Sequence, residues 1–248
     1  MQAQKKTMLL LGGTSDIGRA TALVYAQAGY RVIVAARNLE AAGRNAQDIT
    51  TRTGAQLDLV LLDILRTDQL QIFVDGLPEL PDIVVCVIGE LGDQRRAQTD
   101  FDHATMVMRT NFEGPALLLG YFAEKLVERG WGTLVGVSSV AGDRGRGSNY
   151  VYGAAKAGFT AFLSGLRNRL SASNIRIVTI KPGFVFTRMT ENLNLPSALT
   201  AQPDEVARAI YAAAEKKGRD VVYVRPIWRI IMTIIRAIPE SIFKRLKL

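Results

Sequence analysis

The chain has 248 residues, 48% of them hydrophobic and 22% charged, and its 31 basic and 23 acidic side chains give a net charge of +8. Those proportions fit one large globular domain and exclude a chain disordered over most of its length. The single cysteine, Cys86, excludes an internal disulfide and suits a reducing compartment, and no apolar run approaches the roughly 20 residues of a membrane-spanning helix.

The charge is unevenly placed. From Arg225 to Leu248 there are six basic residues and one acid, so this short tail carries +5 of the total +8. The rest is only mildly basic, with no stripe of cations interleaved with aromatics, so no nucleic-acid partner is expected. The basic start, MQAQKK, precedes an apolar run that stops at Gly12, too short for a secretory signal core, and a cytoplasmic location is expected.

Short runs rich in branched residues predict buried strands at 7–11, 31–36, 57–62, 82–88, 132–138, 175–180 and 221–224. Helical spacing fills 17–28, 39–52, 67–77, 99–129, 150–172 and 203–217. Strand and helix in strict alternation predict an α/β fold: a doubly wound, Rossmann-type, seven-stranded parallel sheet with helices on both faces. Gly29, Gly54, Gly130 and Gly218 fall where helices should stop. The segment 184–202 is expected to form a loop or short helices over a cleft. One domain over 1–225 is expected, followed by an amphipathic helix over 226–248.

Between the first strand and first helix stands LGGTSDIGRA, with Gly12 and Gly18 bracketing the turn. Glycines there let backbone N–H groups approach a pyrophosphate at the helix N-terminus, so the turn suits a dinucleotide. Asp16 stands where a third glycine is expected; it is read as a helix cap whose carboxylate points away from the phosphates. The second strand ends without the acid that reads a ribose hydroxyl, and Arg37 follows. A guanidinium suits a 2′-phosphate, which favours NADP over NAD; a solvated strand-end charge is the alternative. Asp63, ending the third strand, would meet an adenine amino group or start the next turn. No metal site is read from the sequence.

The stretch VSSVAGDRGRGSNYVYGAAKAG runs from the fifth strand into a helix. Tyr152 and Lys156 are four apart on one helix face, and Ser139 lies thirteen residues before Tyr152. Tyr150 lacks a lysine four residues on, because position 154 is alanine. With the glycine turn, Asn111 in RTNFEG, and Pro182, Gly183 and Thr187 in KPGFVFT, the chain resembles the short-chain dehydrogenase/reductase family over about residues 5–225. The resemblance implies hydride transfer between a nicotinamide and a carbonyl or alcohol carbon, with NADP preferred or NAD as cofactor. Tyr152 would be the acid, with its phenol lowered from about 10 by the Lys156 ammonium, Ser139 would bond the carbonyl oxygen, and Asn111 would support a water path. Gly12, Thr14, Ser15, Asp16, Ile17, Gly18, Arg37, Asp63, Ile64, Gly89, Pro182, Gly183, Val185 and Thr187, with Tyr152 and Lys156, would hold the cofactor. A homo-oligomer through 99–129 and 150–172 is also implied. One departure from the family pattern lies at the fourth strand, where Cys86-Val87-Ile88-Gly89 replaces Asn-Asn-Ala-Gly.

Within the family, LGGTSDIGRA, GELGDQ and the basic apolar ending are similar to the keto-reductase subunits of decaprenylphosphoryl-ribose 2-epimerases. That similarity implies a lipid-linked 2-keto pentose as substrate and a flavoenzyme partner. Arg144 and Arg146, expected near the pocket mouth, would then bind a phosphodiester or else be solvated loop charges. A generic soluble alcohol or 3-oxoacyl reductase, and a catalytically idle cofactor-binding regulator, are the competing readings. In the tail, Arg229, Thr233, Arg236 and Glu240 form a polar face opposite Ile227, Ile230, Ile231, Ile234, Ile235 and Ile238, with Trp228 at the margin. Such a helix either lies peripherally on the inner face of a membrane or packs on its own domain or a partner subunit.

Overall fold

The computed structural model describes residues 5–191, 194–216 and 218–246; positions 192–193 of the expected loop, Lys217 at the expected helix end, and tail residues 247–248 lie outside them. The elements in chain order are β1 (Thr7–Leu11), α1 (Asp16–Gln27), β2 (Arg31–Ala36), α2 (Leu39–Thr53), β3 (Leu57–Leu61), α3 (Leu70–Asp75), β4 (Ile83–Cys86), α4 (Phe101–Met108) and α5 (Gly114–Arg129). There follow β5 (Gly132–Val137), α6 (Tyr150–Arg169), β6 (Ile175–Lys181), β7 (Phe184–Val185), β8 (Thr200–Ala201), α7 (Pro203–Glu215), β9 (Val221–Tyr223), α8 (Ile227–Ala237) and α9 (Glu240–Phe243).

The main sheet is parallel in every pairing, in the order β3-β2-β1-β4-β5-β6-β9. All residues of β1, β4 and β5 are buried, because helices cover both faces. Strand pleating divides β1 between two cores: Met8 and Leu10 join Tyr25 of α1 and Ile210 of α7, whereas Leu9 and Leu11 join Phe122 of α5 and Phe159 of α6. The order reverses between β1 and β4, and a crevice opens beyond their C-terminal ends.

The structure alters the expected helix over 99–129. A short 3-10 turn at Arg96–Gln98 precedes α4, and a π turn at Arg109–Glu113 separates α4 from α5. A π turn inserts one residue into the helical ladder and is a common device at functional sites. Here it carries Asn111, fully buried.

The tail packs on the body. Trp228 and Met232 of α8 join Val140, and Phe243 of α9 is buried. Trp228 is therefore inside, not at the margin, while Ile227, Ile230 and Ile234 are exposed on one stripe. The chain turns into α8 at Arg225, whose φ of 60° is held by a two-pronged pair with Glu205 at 3.1 and 2.8 Å.

Candidate active site

One cavity of about 960 Å3 occupies the crevice. Its wall includes Gly12, Thr14, Ser15, Asp16, Ile17, Arg37, Asp63, Ile64, Gly89, Ser139, Arg146, Tyr152, Lys156, Pro182, Gly183, Val185 and Thr187. Three other expected residues stand elsewhere. Gly18 packs behind the turn, Asn111 is buried below the wall, and Arg144 lies outside it.

At one end stands the glycine turn, where the protein's own atoms leave no room for side chains at Gly12, Gly13 and Gly18. Gly12 has φ +99°, and a Cβ on Gly18 would stand 2.4 Å from the Gly12 carbonyl. Gly13 is required by packing, since its Cβ would stand 2.0 Å from Val34 Cγ1. Ser15 caps α1: its Oγ accepts from Gly18 N at 3.0 Å and donates to the Gly12 carbonyl at 2.9 Å. Asp16 is thus not the cap. Its carboxylate accepts from Arg188 N at 2.8 Å and pairs with the Arg188 guanidinium at 3.3 Å, and Arg188 also donates to the Thr14 carbonyl at 2.6 Å. The acid in the glycine turn is neutralised by a cation from the segment after β7, which it ties down. No local sequence pattern marks Arg188 for this. Exposed Arg37 borders the same end, and Asp63 Oδ1 accepts from Leu65 N at 3.1 Å.

At the other end β5 and α6 bring Ser139, Tyr152 and Lys156 to the cavity. Lys156 Nζ donates to the carbonyls of Val137 at 3.2 Å and Ile88 at 3.4 Å. Asn111 donates to the Val107 and Glu90 carbonyls at 2.8 and 2.7 Å and accepts from Glu90 N at 3.2 Å, fixing the loop after β4. Gly89 is the contact between them, where a Cβ would stand 3.0 Å from Asn111 Oδ1 and 3.2 Å from Lys156 Nζ. Gly89, the one residue kept from the family's strand-four pattern, thus lets these two side chains approach.

Desolvation pushes the Tyr152 phenol up to about 12, partly offset by a hydrogen bond from Ser139. The expected depression by Lys156 is absent, because that ammonium is directed at carbonyls and lies 5.8 Å from the Tyr152 ring centre. Burial lowers Lys156 itself to about 8, which keeps most of it cationic at neutral pH. Tyr152 is therefore a phenol there, fit to donate a proton. Tyr150 is 43% exposed and is not part of the cavity wall.

Arg144 does not serve the cavity. Its guanidinium donates to the Ile235 and Ile238 carbonyls at 2.7 and 2.6 Å, pairs with Glu240 at 2.8 Å and lies over the Phe243 ring. It closes the exposed carbonyl end of α8, so its expected substrate role gives way to a structural one. Three residues missed in the sequence support this wall: Lys181 and Asp143 form a buried ion pair, and Tyr223 donates to Asp143 at 2.8 Å.

A family model described as short chain dehydrogenase matches residues 6–198. An uncharacterized oxidoreductase of Mycobacterium tuberculosis is 34% identical over 96% of this chain and 96% of its own length. An uncharacterized oxidoreductase of Streptomyces coelicolor is 35% identical over 97% of this chain and 96% of its own length. In fold the chain is similar to a short-chain dehydrogenase from Sphingobium yanoikuyae in complex with NADPH, with a TM-score of 0.79, 20% identity, and coverage of 95% of this chain and 97% of that one. With the family match spanning most of its length and the serine, tyrosine and lysine meeting in one crevice, this chain belongs to the short chain dehydrogenase family of oxidoreductases.

Proposed function

We propose that the chain reduces a ketone to a secondary alcohol, reversibly, with NADPH preferred over NADH. The observation that carries this is the convergence of Ser139, Tyr152 and Lys156 on one cavity with the glycine turn at its far end. That turn and the N-terminus of α1 would hold the pyrophosphate, Arg37 the 2′-phosphate, and Pro182 to Thr187 the nicotinamide side. The dinucleotide, when bound, supplies the hydride. Tyr152 and Ser139 orient the carbonyl oxygen, and the Tyr152 hydroxyl gives its proton as that oxygen gains charge, because an alkoxide is the stronger base. Lys156 would hold the cofactor on the same wall, and its positive charge is lost as pH rises through about 8.

A ketone panel tests the reading, containing polyprenyl-phosphoryl 2-keto pentoses, 3-oxoacyl thioesters and simple ketones, with labelled NADPH and NADH. Stereospecific transfer from NADPH to at least one ketone is expected, and Arg37→Asp is expected to shift the NADPH-to-NADH ratio of kcat/KM by tenfold or more towards NADH. Absence of transfer to every ketone would favour the idle regulator, and an unmoved ratio would remove Arg37 as phosphate reader. The flavoenzyme partner rests on the subfamily resemblance alone. Exposed Phe101, Met108, Phe112 and Leu117 along the helices expected to pair support self-association.

We propose further that the outer face of the tail makes peripheral contact with an anionic lipid surface. Among the described residues no helix is long and apolar enough to cross a membrane. Ile227, Ile230 and Ile234 nevertheless form an exposed apolar stripe, Ile242 and Leu246 are also exposed, and Arg229, Arg236, Lys244 and Arg245 flank them. Deleting the tail would strip Trp228 from the body, so the discriminating variant is Ile230→Gln with Ile234→Gln. Its partition onto vesicles rich in phosphatidylglycerol is expected to fall at least tenfold. Unchanged partition, or no binding by the parent chain, would remove the lipid contact.

A further inference from the structure

We infer that the substrate end of the cavity receives a compact anionic group of the ketone, a carboxylate or a phosphate, on the Arg146 guanidinium. The inference rests on the reductase reading of the same site and names the substrate class. Arg146 lies on the loop between β5 and α6, six residues before Tyr152, and shares the cavity wall with Ser139 and Tyr152. Its Nε is closed off from water and has no hydrogen-bond partner among the described residues. Asn149 Oδ1, on the same loop and the same wall, is a second buried polar atom without a partner.

Among the described residues no acid forms an ion pair with Arg146. Asp143 is the acid whose field reaches Arg146, but Lys181 occupies one of its oxygens and the Tyr223 hydroxyl the other. Asp16 is paired with Arg188, and Asp63 lines the cavity together with Arg37 at the glycine-turn end. Glu90, the remaining acid of the wall, is exposed. Arg144, two positions earlier, is fully engaged by carbonyls and Glu240, which shows what this loop does with a guanidinium that has a structural task. A desolvated guanidinium with an orphaned donor is costly unless something repays it. A ligand oxyanion on the outer nitrogens of the guanidinium offsets the charge, and the planar fork matches carboxylate and phosphate alike.

Binding can be read without turnover. The full chain loaded with NADP is titrated by calorimetry with benzoate, phenyl phosphate and the neutral benzyl alcohol. At least one anion is expected to bind tenfold or more tightly than the alcohol, and the tighter of the two identifies carboxylate or phosphate as the natural group. Arg146→Met is expected to abolish that preference, with its melting temperature and circular dichroism showing that it folds. Arg146→Lys, which keeps the charge and loses the fork, is expected to retain only part and serves if the first variant does not fold. Equal affinity for anions and alcohol, or a preference that survives Arg146→Met, overturns the inference. Anion binding through Arg146 in a chain that reduces no ketone would sink the reductase reading alone; reduction of neutral ketones with no anion preference would sink only this one.

Discussion

Tyr152→Phe is expected to lower kcat for ketone reduction by about 10²–10⁴-fold while leaving dinucleotide affinity within about twofold. The reasoning follows from the site. Desolvation holds the phenol near 12, so at neutral pH it carries its proton and lies in the cavity with Ser139. Removing one oxygen deletes that proton without opening a void, and the ring keeps its place against the cluster of Ala97, Val107 and Val151. The glycine turn and Arg37 at the other end are untouched. Single-turnover kinetics with fluorescence titration of NADPH separate the two quantities. Reduction that persists at the parental rate would show that another group protonates the product, and the Tyr152 assignment would fall.

Gly183→Ala is expected to cost about 1–3 kcal/mol of stability, a fall of roughly 2–12 °C in melting temperature for a chain of this size. A methyl group there would stand 1.9 Å from Trp228 Cε2, and the ring has nowhere to go. Trp228 is 3% exposed, donates from Nε1 to the Leu199 carbonyl at 3.2 Å, and meets Phe184 edge-on at 5.2 Å. Glycine at 183 is thus demanded by a side chain 45 positions later, beyond its expected part beside a nicotinamide. Trp228→Ala alone should cost about 3–5 kcal/mol by emptying the seat. In that background Gly183→Ala should cost far less, because the colliding ring is gone and the two sites are coupled. A thermal-melt cycle of the four proteins measures this. Additive losses, or a Gly183→Ala protein that melts with the parent, would mean that Trp228 is not seated on the loop.

How much of this was legible in the chain depends on the range over which each feature is set. The strands of the sheet could be read because a strand buried on both faces must be apolar throughout, as TMLLL and RVIVAA are. Even so, Val87 and Ile88 belong to the apolar run after β4 without being part of the strand. The spacing of Ser139, Tyr152 and Lys156 was readable because one strand end and one helix turn carry all three.

Contacts between distant segments were not readable. The turn containing Asp16 announced an anomaly, but its partner Arg188 stands 172 residues away. Arg144 and Arg146 are alike in sequence, yet the fold gives one to the end of a helix and leaves the other in the cavity. The helical count of the tail gave an isoleucine face, and packing instead took Trp228 and Met232 inward because Gly183 and Val140 offered the seat. The π turn at Asn111 was hidden for the same reason: the spacing over 99–129 suits an unbroken helix, and the bonds from Asn111 to Glu90 belong to another loop. Periodicity and propensity are properties of neighbours a few residues apart, so the chain by itself determined most of its elements, their order and the spacing of Ser139, Tyr152 and Lys156. Which side chains are neutralised, seated or left without a partner was decided only when the layered sheet brought remote segments together.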